Sequence, residues 1–197
     1  MSTSQRHGLV LIVDNNSPFT PHLRDIISDL GYSYDYKCHS EIKADELGLE
    51  RLLMFDKVIL SGRRTGSSCI NRVNSTIIKQ CISKNIPLLG ICYGCQIIAL
   101  TLGGSLRRLE QPVKGFDYVA IKNQNVLAVD RQMIRVFESH NFCVSKLPTC
   151  LYSIGESQAC PNEIVLHREK PIFGTQFHPE VSGVDGKNIL ANFMALK

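Results

Sequence analysis

Cys92 stands in the run Leu89-Gly90-Ile91-Cys92-Tyr93-Gly94-Cys95-Gln96. The Gly-x-Cys-x-Gly spacing is that of a nucleophile elbow, a sharp strand-to-helix turn that exposes one side chain. The flanking glycines are expected to permit the strained turn. A helix N-terminus behind Cys92 favours a thiolate and offers amides to a developing oxyanion. The same pattern also describes a buried cysteine in an apolar turn. A second cluster, Gln176-Phe177-His178-Pro179-Glu180, ends the largely apolar run 172–177. His178 there has the chemistry to take a thiol proton, and Glu180 to orient the imidazole. Alone, a histidine at a strand end is more often structural; beside a cysteine elbow it reads as the base. A third stretch is Leu60-Ser61-Gly62-Arg63-Arg64-Thr65-Gly66. One backbone amide from such a loop completes an oxyanion hole, although in isolation the stretch reads equally as a plain surface loop.

These three stretches need a frame that brings them to one edge. Residues 9–13, Leu-Val-Leu-Ile-Val, form a continuous apolar run that predicts a buried parallel strand. Leu23, Ile26, Ile27 and Leu30 follow helical spacing, and Gly31 stops that helix. Tyr32 to Cys38 predicts a second strand and Val58 to Leu60 a third, with a short helix around Leu49, Leu52 and Leu53 between them. Ile70, Val73, Ile77, Ile78 and Cys81 mark a further helix, and Pro87 to Ile91 a fourth strand that runs into Cys92. Alternating strands and helices imply an open α/β sheet, mostly parallel, with helices on both faces. In such sheets ligands bind beyond the carboxyl ends of the strands, where the three stretches lie. From Gly103 the texture changes to short β-like runs at 117–121, 126–129, 134–138, 151–154, 163–167 and 172–177. These predict short, antiparallel strands in the C-terminal half, before a last helix within Gly186 to Leu196. With no repeat, low-complexity tract or linker, residues 1–197 are expected to form a single domain.

Composition narrows the class. The 197 residues are 44% hydrophobic and 20% charged, which excludes a disordered or collagen-like chain. Each half carries 11 basic and 9 acidic residues, so the net charge of +4 is spread evenly and no nucleic-acid partner is expected. Several of the eight cysteines, such as Cys81, sit inside apolar runs, and the chain is too long to need a disulfide scaffold. A reduced, cytoplasmic protein is expected, and Met1 to His7 lacks the apolar stretch of a signal peptide. Ile86 to Leu106 carries no charged residue, but Pro87, Gly90, Gly94, Gln96, Gly103 and Gly104 interrupt it. A buried strand, turn and helix explain that run, so no membrane span is expected. Cys92-Tyr93-Gly94-Cys95 is formally a C-x-x-C, yet Cys95 reads as an apolar filler on the helix rather than a redox partner. Cysteines 143, 150 and 160 are too widely spaced for a zinc clip, so no metal is expected. His7, His22, His39 and His167 belong to no constellation.

The elbow and the His-Pro-Glu motif together resemble the class-I glutamine amidotransferases, over nearly the whole chain. The resemblance implies a flavodoxin-like glutaminase fold, no cofactor, and a triad of Cys92, His178 and Glu180. It implies hydrolysis of L-glutamine through a γ-glutamyl thioester, with ammonia passed to a separate synthase. By the same resemblance Gln96 matches the glutamine-binding residue. Ser139-His140-Asn141 matches the segment whose backbone meets the substrate's α-amino and carboxylate groups. Amides of Arg63 and Tyr93, after Gly62, would form the oxyanion hole.

Arg63-Arg64 depart from the family's pattern of a second glycine and then, usually, proline. A tolerated substitution, a docking point for an acidic partner and a silent glutaminase all accommodate that pair. Within the family, Gly90 to Gly94 and His178-Pro179-Glu180-Val181 resemble the glutaminase subunit of GMP synthetase. Val13 to Thr20 is closer to the subunit of anthranilate or aminodeoxychorismate synthase. The favoured expectation for the ammonia-accepting partner is therefore an ATP-dependent GMP synthetase subunit. The chorismate-using synthases are the alternative, and a γ-glutamyl hydrolase of the same fold is a third reading.

Overall fold

The strands that the apolar runs predict are β1 (Leu9–Asp14), β3 (Lys57–Leu60), β4 (Leu88–Ile91) and β9 (Ile172–Thr175). Almost every residue in them is buried, as continuous apolar runs require of strands covered on both faces. The computed structural model describes residues 8–42, 52–64 and 68–196. Within it, β2 (Ser33–Cys38), β5 (Ser105–Ile121), β6 (Met133–Lys146), β7 (Leu151–Glu156) and β8 (Ile164–His167) complete one sheet. Its order is β2-β1-β3-β4-β9-β8-β7-β5-β6. The pairings from β2 across to β9 are parallel, and those from β9 across to β6 are antiparallel.

Alternation along each parallel strand builds two cores. Leu11, Val13, Val58, Leu60 and Leu88 face α2 (Ser68–Lys84) and α3 (Tyr93–Thr101), whose Val73, Ile77 and Ile98 meet them. Val10, Ile12, Ile59, Leu89 and Ile91 point the other way. There they meet Leu23 and Ile27 of α1 (Thr20–Asp29), and Ile189, Leu190 and Phe193 of α4 (Gly183–Ala195). Helices on both faces were the expected arrangement. The charge-poor stretch after Ile86 resolves into β4, a turn, α3 and the start of β5. Among the described residues no helix is long and apolar enough to cross a membrane.

Two local expectations change. The strands β5 and β6 are a long hairpin of 17 and 14 residues, not short runs. The hairpin's polar residues, among them Arg107, Arg108 and Glu110, are solvated on strands that apolar patterning alone cuts short. Residues 126–129 form bends and a turn rather than a strand. The Asn125 side-chain oxygen accepts from the amides of Leu127 and Ala128 at 2.9 and 2.6 Å and closes that turn, while Leu127 and Ala128 are buried. In the helix expected around residues 49–53, Leu49 lies outside the described residues, and Leu52 is fully buried.

Candidate active site

Four loops leave the carboxyl ends of the parallel strands together: Asn15–Phe19 after β1, Ser61–Arg64 after β3, Cys92 after β4 and Gln176–Glu180 after β9. Cys92 carries φ 50° and ψ −100°, a conformation that costs a side-chain-bearing residue about 1–3 kcal/mol. Its amide donates to Thr175 O at 2.7 Å, which pins the turn to the neighbouring strand. The glycines serve this turn differently from expectation. Neither Gly90 nor Gly94 has a positive φ. A Cβ on Gly90 would lie 2.4 Å from the Gly94 backbone, and one on Gly94 would lie 2.5 Å from Leu60 O. They are small so that strand and helix touch; the cysteine bears the strain itself.

His178 lies beside the sulfur, 3% exposed, and its Nδ1–H donates to Glu180 Oε1 at 2.8 Å. Burial works against the imidazolium, but the charge of Cys92 and then that of Glu180, with hydrogen bonds to both, outweigh it. The ring's pKa therefore stands well above the ordinary histidine value. The backbone holds this histidine firmly. Its amide donates to Phe137 O at 2.9 Å, and its carbonyl accepts from Ser182 Oγ at 2.6 Å. A Cβ on Gly62 would lie 2.7 Å from His178 Cε1, so the β3 loop packs flat against the ring only because residue 62 is glycine.

A cavity of about 560 Å³ opens over the sulfur. Arg63, Tyr93, Gln96, Ser139, His140 and Asn141, each expected near substrate, line it together with Cys92 and His178. Gly62 is placed one step behind, against His178. Gln96 donates both amide hydrogens inward, to Phe142 O at 2.8 Å and Gln176 Oε1 at 3.2 Å, which leaves its own oxygen as an acceptor. Ser139 O lies 3.9 Å from Cys92 Sγ. The guanidinium of Arg63 stacks over the Tyr93 ring at 4.1 Å and reaches Asn71 Oδ1 at 3.3 Å. Tyr93 OH donates to the same oxygen at 2.9 Å. Arg64 is exposed at the cavity mouth; Thr65 and Gly66 lie outside the described residues. Cys95 is fully buried against Gly174 of β9, and burial pushes its thiol up, which fits a filler.

Comparison with known proteins bears on this geometry. The profile of the family "Glutamine amidotransferase class-I" matches residues 11–196. The chain belongs to the class-I glutamine amidotransferases. It is 32% identical to the glutamine-hydrolysing GMP synthase of Hamiltonella defensa subsp. Acyrthosiphon pisum, covering 94% of this chain and 36% of that protein. The chain thus spans about a third of that relative's length. It is 31% identical to one subunit of the glutamine-hydrolysing GMP synthase of Pyrococcus abyssi, over 95% of this chain and 98% of that one. A solved protein from Thermoplasma acidophilum, described as a GMP synthase subunit, superposes with a TM-score of 0.82 at 28% identity, over 94% of this chain and 92% of its own.

Several residues at this candidate site escaped the sequence reading. Gln176 donates to Cys92 Sγ at 3.8 Å; its place two residues before His178 was the available signal. The ring of Phe19 meets His178 edge-on at 4.7 Å and continues through Phe137 to Phe116. Glu138 and Glu163 are buried beneath the Ser139 segment beside His140. Burial pushes Glu138 up to about 7 and Glu163 well above the ordinary carboxyl range, and lowers His140. Glu138 had a signal: it occupies the inward phase of Ile134, Val136, Glu138 and His140, where an apolar residue is the norm.

Proposed function

We propose that the chain hydrolyses L-glutamine to glutamate and ammonia, with Cys92 as nucleophile, His178 as acid–base group and Glu180 as its orienting carboxylate. The observation that carries this reading is the strained elbow of Cys92 set against the buried His178–Glu180 pair. In this mechanism Cys92 Sγ attacks the carboxamide carbon of glutamine and forms a tetrahedral oxyanion. In this mechanism the amide of Tyr93, which at the start of α3 has no partner within its helix, and the amide of Arg63 donate to that oxygen. His178 gives its proton to the leaving nitrogen, so ammonia departs and a γ-glutamyl thioester remains. Water then attacks the thioester while His178 takes a proton, and glutamate leaves with Cys92 regenerated. Gln96 Oε1 accepts from the substrate's ammonium group, and the backbone of Ser139, His140 and Asn141 holds its α-substituents.

The ammonia passes to an ATP-dependent GMP synthetase subunit. What supports this partner over the chorismate-using synthases is the likeness to whole GMP synthase and to the Pyrococcus abyssi subunit. The test is steady-state glutamine hydrolysis with candidate synthases added, together with labelling by a glutamine analogue bearing an electrophilic γ-carbon. Labelling confined to Cys92, and ATP-dependent GMP synthesis from glutamine only when both proteins are present, is the expected result. Labels spread over several cysteines would overturn the role of Cys92; hydrolysis without GMP synthesis would overturn the partner alone.

A further inference from the structure

Glu138, His140 and Glu163 are brought together from β6 and the turn before β8, and each is at least 93% buried. One donor atom from each, the two carboxylates and the imidazole, lies within 4.8 Å of the others. Their outer atoms are already committed. His140 Nδ1–H donates to Phe142 O at 3.0 Å, which leaves Nε2 as a lone pair in the neutral ring. Glu163 Oε1 accepts from Ser157 Oγ at 2.7 Å. The inner atoms are different: with both carboxyls ionised, Glu138 Oε1 and Oε2, His140 Nε2 and Glu163 Oε2 face no donor, and without a cation Glu138 and Glu163 meet this by sharing a proton, with both carboxyls pushed up.

The contact between His140 Nε2 and Glu138 Oε2 is short, 3.0 Å, yet it does not have hydrogen-bond geometry. A proton held on the line between them is therefore not what the pair is arranged for. Once the proton shared by the two carboxyls leaves, acceptors face acceptors at this point, and buried negative charges without compensation are costly. A single divalent cation meets all these demands. It cancels two carboxylates, takes the Nε2 lone pair, and uses both free oxygens of Glu138. The outer hydrogen bonds of His140 and Glu163 are the kind that orient metal ligands. Bonds of about 2.1 Å allow ligand atoms roughly 4.2 Å apart at most, so closing the 4.8 Å cluster takes a few tenths of an ångström from each side chain.

We propose that Glu138, His140 and Glu163 form a binding site for one divalent cation of the Mn²⁺–Zn²⁺ class, beneath the wall of the active-site cavity. The donor set of two carboxylates and one imidazole suits that class. The site does not take part in the hydrolytic steps described above. Its consequence is local: Glu138 and His140 flank Ser139, so the cation ties down the strand whose carbonyl faces Cys92. The inference stands independently of the proposed glutaminase reaction, because its readout is binding.

The test uses the full chain after chelator treatment and dialysis. Mn²⁺ is the first probe, since it prefers oxygen and imidazole and avoids the eight thiols. Paramagnetic resonance of free Mn²⁺ is expected to count one bound equivalent, displaced by Zn²⁺, with a higher melting temperature on binding. Glu138→Gln and Glu163→Gln keep side-chain shape and relieve like-charge crowding, so both variants are expected to fold. Each is expected to lower affinity by about 100-fold or more. Failure of the folded wild-type chain to bind one equivalent of Mn²⁺ or Zn²⁺ would overturn the proposal. So would Zn²⁺ binding that survives both substitutions, which would assign the metal to cysteines. An infrared band of a protonated carboxyl that persists when the metals are added would identify the cluster as a proton-sharing acid pair instead, and the metal site would again be rejected.

Discussion

The two halves of the sheet hold polar groups in opposite ways. In the parallel half, the elbow and the His178 loop sit at strand ends, and main-chain contacts position them: Cys92 N to Thr175 O, His178 N to Phe137 O, Gly90 against Gly94. Cys92 and His178 line the cavity, and His178 is paired with Glu180, whose second oxygen is buried without a partner. In the antiparallel half, Glu138 and His140 sit within a strand, facing a core side, with side-chain atoms left unpaired. One arrangement sets reactive groups against the cavity from strand ends on a rigid frame. The other buries charge under the wall of the same cavity. Position in a strand, rather than residue type, separates a group that meets substrate from one that shapes the wall.

That contrast is sharpest at the nucleophile. Cys92→Ala is expected to lower glutamine-dependent turnover by on the order of 10⁶-fold, the scale at which a triad loses its nucleophile. Synthesis from free ammonia by the partner is expected to survive, and the two assays run side by side check this. Glu180→Ala is expected to cost less, about 10⁴-fold, because the carboxylate orients and stabilises the imidazolium without touching substrate. A larger loss at Glu180 than at Cys92 would reverse the assigned roles.

Gly62→Ala probes the backbone frame itself. Its Cβ would press on His178 Cε1 from 2.7 Å, and a ring displaced by about 1 Å is expected to lose roughly 100-fold in kcat with little change in melting temperature. The smallest effect is a titration. His178 is raised by Cys92 and Glu180 against burial, so its extra proton affinity stabilises the fold below the ordinary histidine pKa and is lost as pH rises through the raised value. Cys92→Ala removes the larger of the two favourable partners. The imidazole resonance of His178 is then expected to titrate at lower pH than in the wild-type chain; an unchanged midpoint would assign the shift to Glu180 alone.

The parallel half was legible because its signals are local. Five-residue apolar runs, helical spacing at Ile70 to Cys81 and the elbow each lie within one stretch of chain. The antiparallel half hid its content for two reasons. The long hairpin β5–β6 is solvated along much of one face, so apolar runs mark only its inner pieces. Glu138 and Glu163 meet only after the chain returns through β7, and 25 positions of sequence give no hint of that contact. Phe19 was invisible for the same reason: its neighbour His178 comes from the far end of the chain. The role of the glycines was misread at a finer scale, since spacing reports where room is needed and not which residue takes the unusual dihedral.

The positive φ of Cys92 has a bearing on ancestry and redesign. Any side chain is strained in that region of conformational space, and a β-branched one more so than cysteine or serine. The elbow thus leaves two nucleophiles open to drift and closes the path to threonine, whatever the surrounding chemistry favours. A lineage built on this turn can trade sulfur for oxygen in one step, but it cannot reach a threonine hydrolase without first rebuilding the junction between β4 and α3.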